Sequence, residues 1–334
     1  MSIGVVAGTN GGDDEKASKA GGGDGAKVTV YSGRAKKLVG PLLEDFERRS
    51  GIDLDVRYGE SAELAATLAE EGDASPADVF FAQDAGALGA VAGEDLLAPV
   101  SQAVLGRVDE RFRDPSGRWV GTSGRARVVA FSTKRVKAAD LPGSIFDFAD
   151  PKWKGRIGLP PSNASFQAFV SAMRIDVGDD RTREWLEAVK RNEPKLLENN
   201  IQTEEAIDAG EIDVGFVNHY YLYELRAERP DFAVDNHFLE AGDPGSLVNV
   251  AGAGVLKDAD NPEGAARLID FLLSARGQRY FAEKTFEYPL IPGADPPAGL
   301  RPLDSVQGPK VALGELGGKL RSTLELLSDT GFGA

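Results

Sequence analysis

From Lys27 the chain reads KVTVY, the apolar-polar alternation of a half-buried strand. After SGR at 32–34, apolar residues fall at Leu38, Leu42, Leu43 and Phe46, the spacing of one helix face. That helix is expected to stop near Ser50-Gly51. IDLDV at 52–56 predicts a second strand, an Ala/Leu-rich helix follows from Ser61 to Glu71-Gly72, and DVFF at 78–81 predicts a third strand with a helix from about Asp84. The βαβαβ alternation calls for an α/β fold with a parallel sheet, whose ligands collect at the carboxyl ends of the strands. Residues 32–34, 59–61, and Gln83 with Asp84 should then share one rim.

The middle of the chain repeats this style without repeating any sequence. Residues 121–131 are extended, and WKGRIG at 153–158 leads through two prolines into SNAS at 162–165 and a helix from Phe166 to Met173. Helices are expected at 182–191 and from Asn199-Asn200 to Ala209-Gly210, then a buried strand, DVGFV, at 213–217. Residues 252–256 are extended again, and 262–276 form one amphipathic helix.

That buried strand runs into VNHYYLYEL at 217–225, which holds three of the seven tyrosines. A continuing strand would send Tyr220 and Tyr221 to opposite faces. A helix separates them by only about 100°. Asn218 suits an N-cap, so both tyrosines are expected in the first helical turn, able to converge on a cleft. Adjacent aromatics at such a junction are more commonly core, and Tyr223 is assigned there. The alternative use is chemical, because phenolate is a hard oxygen ligand and a trivalent cation such as Fe³⁺ displaces its proton.

Composition narrows the chemistry. The 334 residues, 42% hydrophobic, can fill two ordinary cores. A net charge of −15 opposes nucleic acid and anionic lipid as partners. The chain has no cysteine and only His219 and His237, which excludes thiolate chemistry and a multi-histidine zinc site. No apolar run approaches the ~20 residues of a membrane span. Residues 1–26, rich in Gly, Asp, Lys and Ser, read as a disordered tether, either the stem left after an export signal or lipid anchor or an ordinary terminus. No GxSxG, GxxxxGK[ST], HExxH or GxGxxG element stands in a catalytic context, which argues against an enzyme.

The ordered segments VTVYSGR, PLLEDFERRSGI, PADVFFAQD, SGRARVV, PKWKGRIG, VNHYYLYEL, DPGSLVN and EYPL, collinear from about residue 28 to 288, resemble the ferric-iron-binding solute-binding proteins of bacterial ABC importers. The resemblance implies a two-lobed periplasmic-binding-protein fold (type II) with its ligand in the cleft. Lobe 1 would comprise 27–125 and about 251–300, and lobe 2 would comprise 126–250 and about 301–334. Iron would be bound through Tyr220 and Tyr221. Two positions depart from the family: Ala35 stands where many members have histidine and Gln83 where they have glutamate. Asp84 or Glu60 is the expected replacement for that carboxylate, Gln83 being a poor ligand, and PPSNASFQAF lacks the further tyrosine of some relatives. Phosphate or carbonate would complete the shell at Ser162, Asn163, Ala164 and Ser165, aided by Asn200 and Asn218, with Arg125 and Arg127 pairing the anion or a ligand carboxylate. The expected partners are a membrane permease with its ATPase. The expected form is a monomer, periplasmic or tethered to the outer face of the cytoplasmic membrane. The competing reading keeps the scaffold but exchanges the ligand for an oxyanion, polyamine, thiamine or sugar.

Overall fold

The structure is a computed structural model that describes Met1 and residues 27–333. Apart from Met1, the tether expected over 1–26 lies outside the described residues. The order of elements is β1 (Lys27–Ser32), α1 (Lys36–Ser50), β2 (Asp53–Tyr58), α2 (Ser61–Glu71), β3 (Val79–Ala82), α3 (Ala85–Gly93), α4 (Gln102–Leu105) and β4 (Val120–Ser132). Next come β5 (Ile157–Leu159), α5 (Ala164–Val177), α6 (Asp179–Arg191), β6 (Lys195–Leu196), α7 (Asn200–Asp208), β7 (Val214–Asn218), α8 (Tyr220–Glu228) and β8 (Val234–His237). β9 (Val248–Val255), α9 (Pro262–Leu272), α10 (Ala275–Lys284) and α11 (Leu316–Asp329) complete it.

The opening βαβαβ forms as the periodicity requires, with β1 parallel to both β2 and β3. β9 closes this first lobe antiparallel to β3. The two lobes share one strand. All 13 residues of β4 are buried; its first part, 120–126, pairs with β9, while from Arg127 onward it pairs with β7 and β8. A strand sandwiched on both faces loses the alternation of an edge strand and reads as continuous apolar sequence, yet β4 carries Arg125 and Arg127 in mid-strand. Those two are the exceptions that mark the cleft.

Two expectations give way to tertiary contacts, and one helix was not foreseen. Asn218 remains in the sheet, opposite Arg127 in the ladder, so His219 takes the N-cap position of α8. The single helix expected at 262–276 breaks at Leu273, because Ser274 caps a new helix by accepting from the Gly277 N–H. α11, with two glycines in its first turn, is a weak helix former that the periodicity did not reveal. Packing on both lobes holds it. Its Gly317 lies so close to the Gly86 carbonyl of α3 that no Cβ fits, and in the other lobe Arg174 of α5 donates to Ser322 Oγ and Thr323 Oγ1.

Candidate metal and anion site

The three βα loops of the first lobe, the middle of β4 and the starts of α5 and α8 enclose a cavity of about 560 Å³. The loops contribute Gly33 and Arg34, Gly59 and Glu60, and Gln83 and Asp84, the rim expected from the sheet order. Tyr220, Tyr221, Arg125, Arg127, Asn163, Ala164, Ser165 and Asn218 line the same space.

The tyrosines are delivered by the β7–α8 junction, and His219 fixes its geometry. The fully buried imidazole accepts the Ala126 N–H at Nδ1 (3.1 Å) and donates from Nε2 to the Phe286 carbonyl (2.9 Å). Burial holds its pKa down at about 4, so it is neutral and keeps this tautomer. Tyr220, 4% exposed, and Tyr221 follow with ring centroids 4.1 Å apart. Burial pushes both phenols above their ordinary value, and the Arg125 guanidinium opposes the shift in each. Without a cation they remain protonated. Tyr223 points elsewhere and stacks on Phe286 as a packing residue.

Positive charge is concentrated opposite them. Arg127 is buried and donates to the Phe216 carbonyl (2.7 Å), Ser165 Oγ (3.2 Å) and Asn218 Oδ1 (3.4 Å), with no carboxylate partner among the described residues. Burial lowers its pKa to about 9, and the two tyrosines are the groups that resist this. Arg125 is 4% exposed at its side chain; its Nε stands 3.7 Å from Glu287 Oε1, too far for a hydrogen bond, and both Nε and Nη2 are without partners. Arg34 is the best paired of the three, donating to Glu287 Oε2 and Gln83 Oε1, each at 2.7 Å, with only its Nε lacking a partner. Burial alone would raise the Glu287 carboxyl, but Arg34 and Arg125 outweigh it and hold it below its usual value.

Beneath the cavity, Asn163 caps α5, its Oδ1 accepting from Ser165 N–H (3.0 Å) and Ser165 Oγ (2.6 Å). Asn200 sits behind them, off the wall. Its Nδ2 donates to Asn163 Oδ1 and Ser165 Oγ, and its Oδ1 accepts the Asn218 N–H. Ser162 is exposed and is not part of the lining. Asp84 spends Oδ1 on capping α3 through the Ala87 N–H (3.0 Å), and Glu60 stands exposed at the rim. Among the described residues no group of three or more His, Cys, Asp or Glu side chains could hold a metal ion. A metal here would need phenolate.

The sequence of residues 74–305 matches the family model of the bacterial extracellular solute-binding proteins. The chain belongs to that family. An Fe(3+)-binding periplasmic protein of Serratia marcescens is 33% identical over 91% of this chain and 90% of its own. The crystal structure of iron-bound HitA from Pseudomonas aeruginosa, 32% identical, superposes with a TM-score of 0.85 over 92% of this chain and 99% of that one. A Trichodesmium protein in complex with iron and citrate ligands, 28% identical, gives a TM-score of 0.83 over 92% of this chain and 100% of that one. These neighbours share the two-lobed α/β architecture.

In this solute-binding protein, sequence reasoning passed over four groups at the cleft. Arg34 and Glu287 were visible only as members of SGR and EYPL, without a role. Glu224 lies on α8 four residues after Tyr220, a helical spacing that brings it to the same cavity, where burial raises its pKa. Asn249, on β9, carried no local signal. The tryptophans do not serve as stacking platforms, since Trp119, Trp153 and Trp185 are all buried in the cores. No helix among the described residues is long and apolar enough to cross a membrane.

Proposed function

We propose that this solute-binding protein captures ferric iron with an exogenous anion outside the cytoplasmic membrane and delivers it to an ABC-type permease and its ATPase. The observation that carries the reading is the pairing of opposites in one cavity: two adjacent phenols, Tyr220 buried and Tyr221 half-buried, with two buried guanidiniums, Arg127 without a carboxylate partner and Arg125 with its Nε and Nη2 free of hydrogen bonds. Tyr220 and Tyr221 supply the phenolates. Fe³⁺ with two phenolates keeps one positive charge, and Arg125 and Arg127 add to it, so an anion is required to bury the site. Phosphate or carbonate would sit against Arg125, Arg127, Asn163, Ala164, Ser165 and Asn218, with Asn200 supporting from behind. Asp84 and Glu60 remain the candidate carboxylate ligands, while the bond from Arg34 withdraws the Gln83 oxygen from that role. The names of the relatives, ferric-binding and iron-bound, favour iron over a polyamine, thiamine or sugar.

For the lobe division of 27–125 with about 251–300 and 126–250 with about 301–334, we place the first crossing between Ala126 and Arg127 and the second near Val248, where β9 begins pairing with β4. α11 belongs to neither lobe alone. The protein acts as a monomer, periplasmic or tethered to the membrane's outer face.

Adding Fe³⁺ to metal-free protein should produce a visible ferric-phenolate charge-transfer band. A colourless protein that binds phosphate or sulfate without iron would instead favour a second reading, an oxyanion carrier built on the Nε and Nη2 donors of Arg125.

A further inference from the structure

The charges on the cavity wall divide into those already engaged and those left over. Arg34 is bound to Glu287 (2.7 Å), and the Arg125 Nε stands 3.7 Å from the same carboxylate. Arg127 lies in the second-lobe part of β4, on the same side of the cleft as α8. Lys37 and Glu224 also line the cavity, and among the described residues neither side chain makes an ion pair or a hydrogen bond.

These two leftover charges are opposite in sign and stand on opposite lobes. Lys37 is in the first turn of α1, which follows β1, whereas Glu224 is on α8, which follows β7. Glu60 and Asp84 share a lobe with Lys37, so among the described residues Glu224 is the lining carboxylate that faces it from across the cleft. Glu224 comes four residues after Tyr220, and a helical Cα–Cβ bond tilts toward the helix N-terminus, so its side chain leans back toward the phenols. Tyr220 is 4% exposed, Glu224 half-buried and Lys37 exposed, which sets the pair at the mouth of the cavity rather than at its floor. Burial raises the Glu224 carboxyl, and the Lys37 ammonium is the charge that opposes this most.

We propose that Lys37 and Glu224 pair across the cleft when the lobes close on iron, a latch outside the metal's own shell that sets how long the ion is held. This rests on the ferric reading above and deepens it. The lobes are joined through β4, whose buried Arg125 and Arg127 line the cavity. A hinge rotation about that strand moves groups at the mouth furthest. Closure brings the ammonium to the carboxylate while water leaves the cleft, and their attraction grows as the surrounding dielectric falls. Because the pair exists in the closed form alone, it stabilises that form against the open one. Iron leaves through the mouth, so its release is slowed to the same degree.

The test is a double-mutant cycle on the full chain loaded with Fe³⁺ and phosphate, using Lys37→Met, Glu224→Gln and the two combined, changes that keep side-chain size. Iron release to excess EDTA is followed by decay of the charge-transfer band, and closure by the fall in radius of gyration on loading, measured by small-angle scattering. Each single change should speed release about tenfold, the low end for a close charge pair across an interface, and should reduce the compaction. The double variant should release no faster than either single one, since the second change removes a partner already lost. The exchange of Lys37→Glu with Glu224→Lys should restore slow release, which a purely structural role for either residue would not allow. Effects that add, a Lys37→Met variant that releases like the unaltered protein, or an exchange that binds iron without regaining slow release overturns the latch. So does a shifted band maximum in Glu224→Gln, which would put that carboxylate on the metal instead. In each of these cases the band itself keeps the ferric reading. No band in the unaltered protein overturns both.

Discussion

The two walls of the cleft differ in one respect that matters: the paired phenols stand on the second lobe alone, whereas carboxylates and nitrogen donors line both. On the second lobe, α8 presents oxygen: Tyr220, Tyr221 and, one turn further, Glu224. On the first lobe, Arg34 and Gln83 present nitrogen, and the carboxylate that holds Arg34, Glu287, is 1% exposed and sequestered by Ser123 Oγ (2.9 Å) and Thr285 Oγ1 (3.0 Å). A cation and an anion can thus be recognised in one cavity without competing for the same groups. The difference also assigns cost, since the phenols are neutral until metal arrives, whereas Arg125 and Arg127 are charged, buried and incompletely paired in the empty protein.

Removing the phenols has the largest expected effect. Tyr220→Phe and Tyr221→Phe should each weaken iron binding about a thousandfold, above the roughly 10–100-fold typical of outer partners of a metal site. The charge-transfer band measures this directly, and its loss should not be accompanied by unfolding, since each change deletes only a hydroxyl. Retention of the full band in either variant would remove that tyrosine from the metal.

The second test concerns how the oxygen wall is anchored. His219 has a folded-state pKa of about 4 against an ordinary value of 6.5. Below about pH 6.5 the unfolded chain takes up a proton that the folded chain refuses, so this residue's contribution to stability falls as pH drops and is lost near pH 4. The total is about 3 kcal/mol for a shift of this size. Buried Glu204, its carboxyl raised well above normal by burial, acts in the opposite sense, losing stability as pH rises above its ordinary value of 4.5. Urea denaturation of the metal-free protein between pH 7 and 4, with and without His219→Gln, isolates the histidine. The variant should flatten the acid-side slope, and an unchanged slope would mean that the imidazole is not held neutral.

How much of this was legible in the sequence depends on the range of the interaction. The rim residues were readable because strand, turn and helix signals sit within a few positions of each other, and the two tyrosines because their spacing fits a helix start. The pairing of Arg34 with Glu287 was not, since the two meet across 253 residues and no local pattern links them. The same holds for Gln83, whose polarity is decided by Arg34 rather than by its neighbours in AQD. Asn218 looked like a cap on local grounds, but it stays in register with Arg127 of β4 and its N–H goes to Asn200 Oδ1, 18 residues away. The glycines of α11 signal a break in isolation, and only the surface of α3 explains why a side chain at Gly317 would be worse.

Arg127, in the second-lobe part of β4, offers a smaller effect with mixed signs. Arg127→Met should lower iron-plus-anion affinity about 10–100-fold, within the range for a partner outside the metal's own ligands. Stability of the empty protein should hold or rise, because a buried charge without a carboxylate is replaced by an apolar chain of similar length. Calorimetry of the metal-free form and anion titration of the iron form read the two halves separately. A fall in both would mean that Arg127 serves mainly to tie β4 to Phe216 and Ser165.

The smallest effect expected is at the first-lobe carboxylates, and it decides whether that lobe touches iron at all. Glu60 is exposed, occupies the N-cap position of α2 and makes no capping hydrogen bond there, so Glu60→Gln changes little besides charge. If the lobe grips only the anion, the variant should shift affinity by less than about 1 kcal/mol, the scale of an exposed charge interaction. Asp84→Asn is the matching change, preferable to alanine because asparagine still accepts the Ala87 N–H and keeps α3 capped. A loss of a hundredfold in either variant, accompanied by a shift in the charge-transfer maximum, would place a carboxylate on the metal and make the first wall a ligand donor after all. Both unchanged would leave the phenols as the protein's own hold on the ion, with every other oxygen in its shell brought by the anion or by solvent.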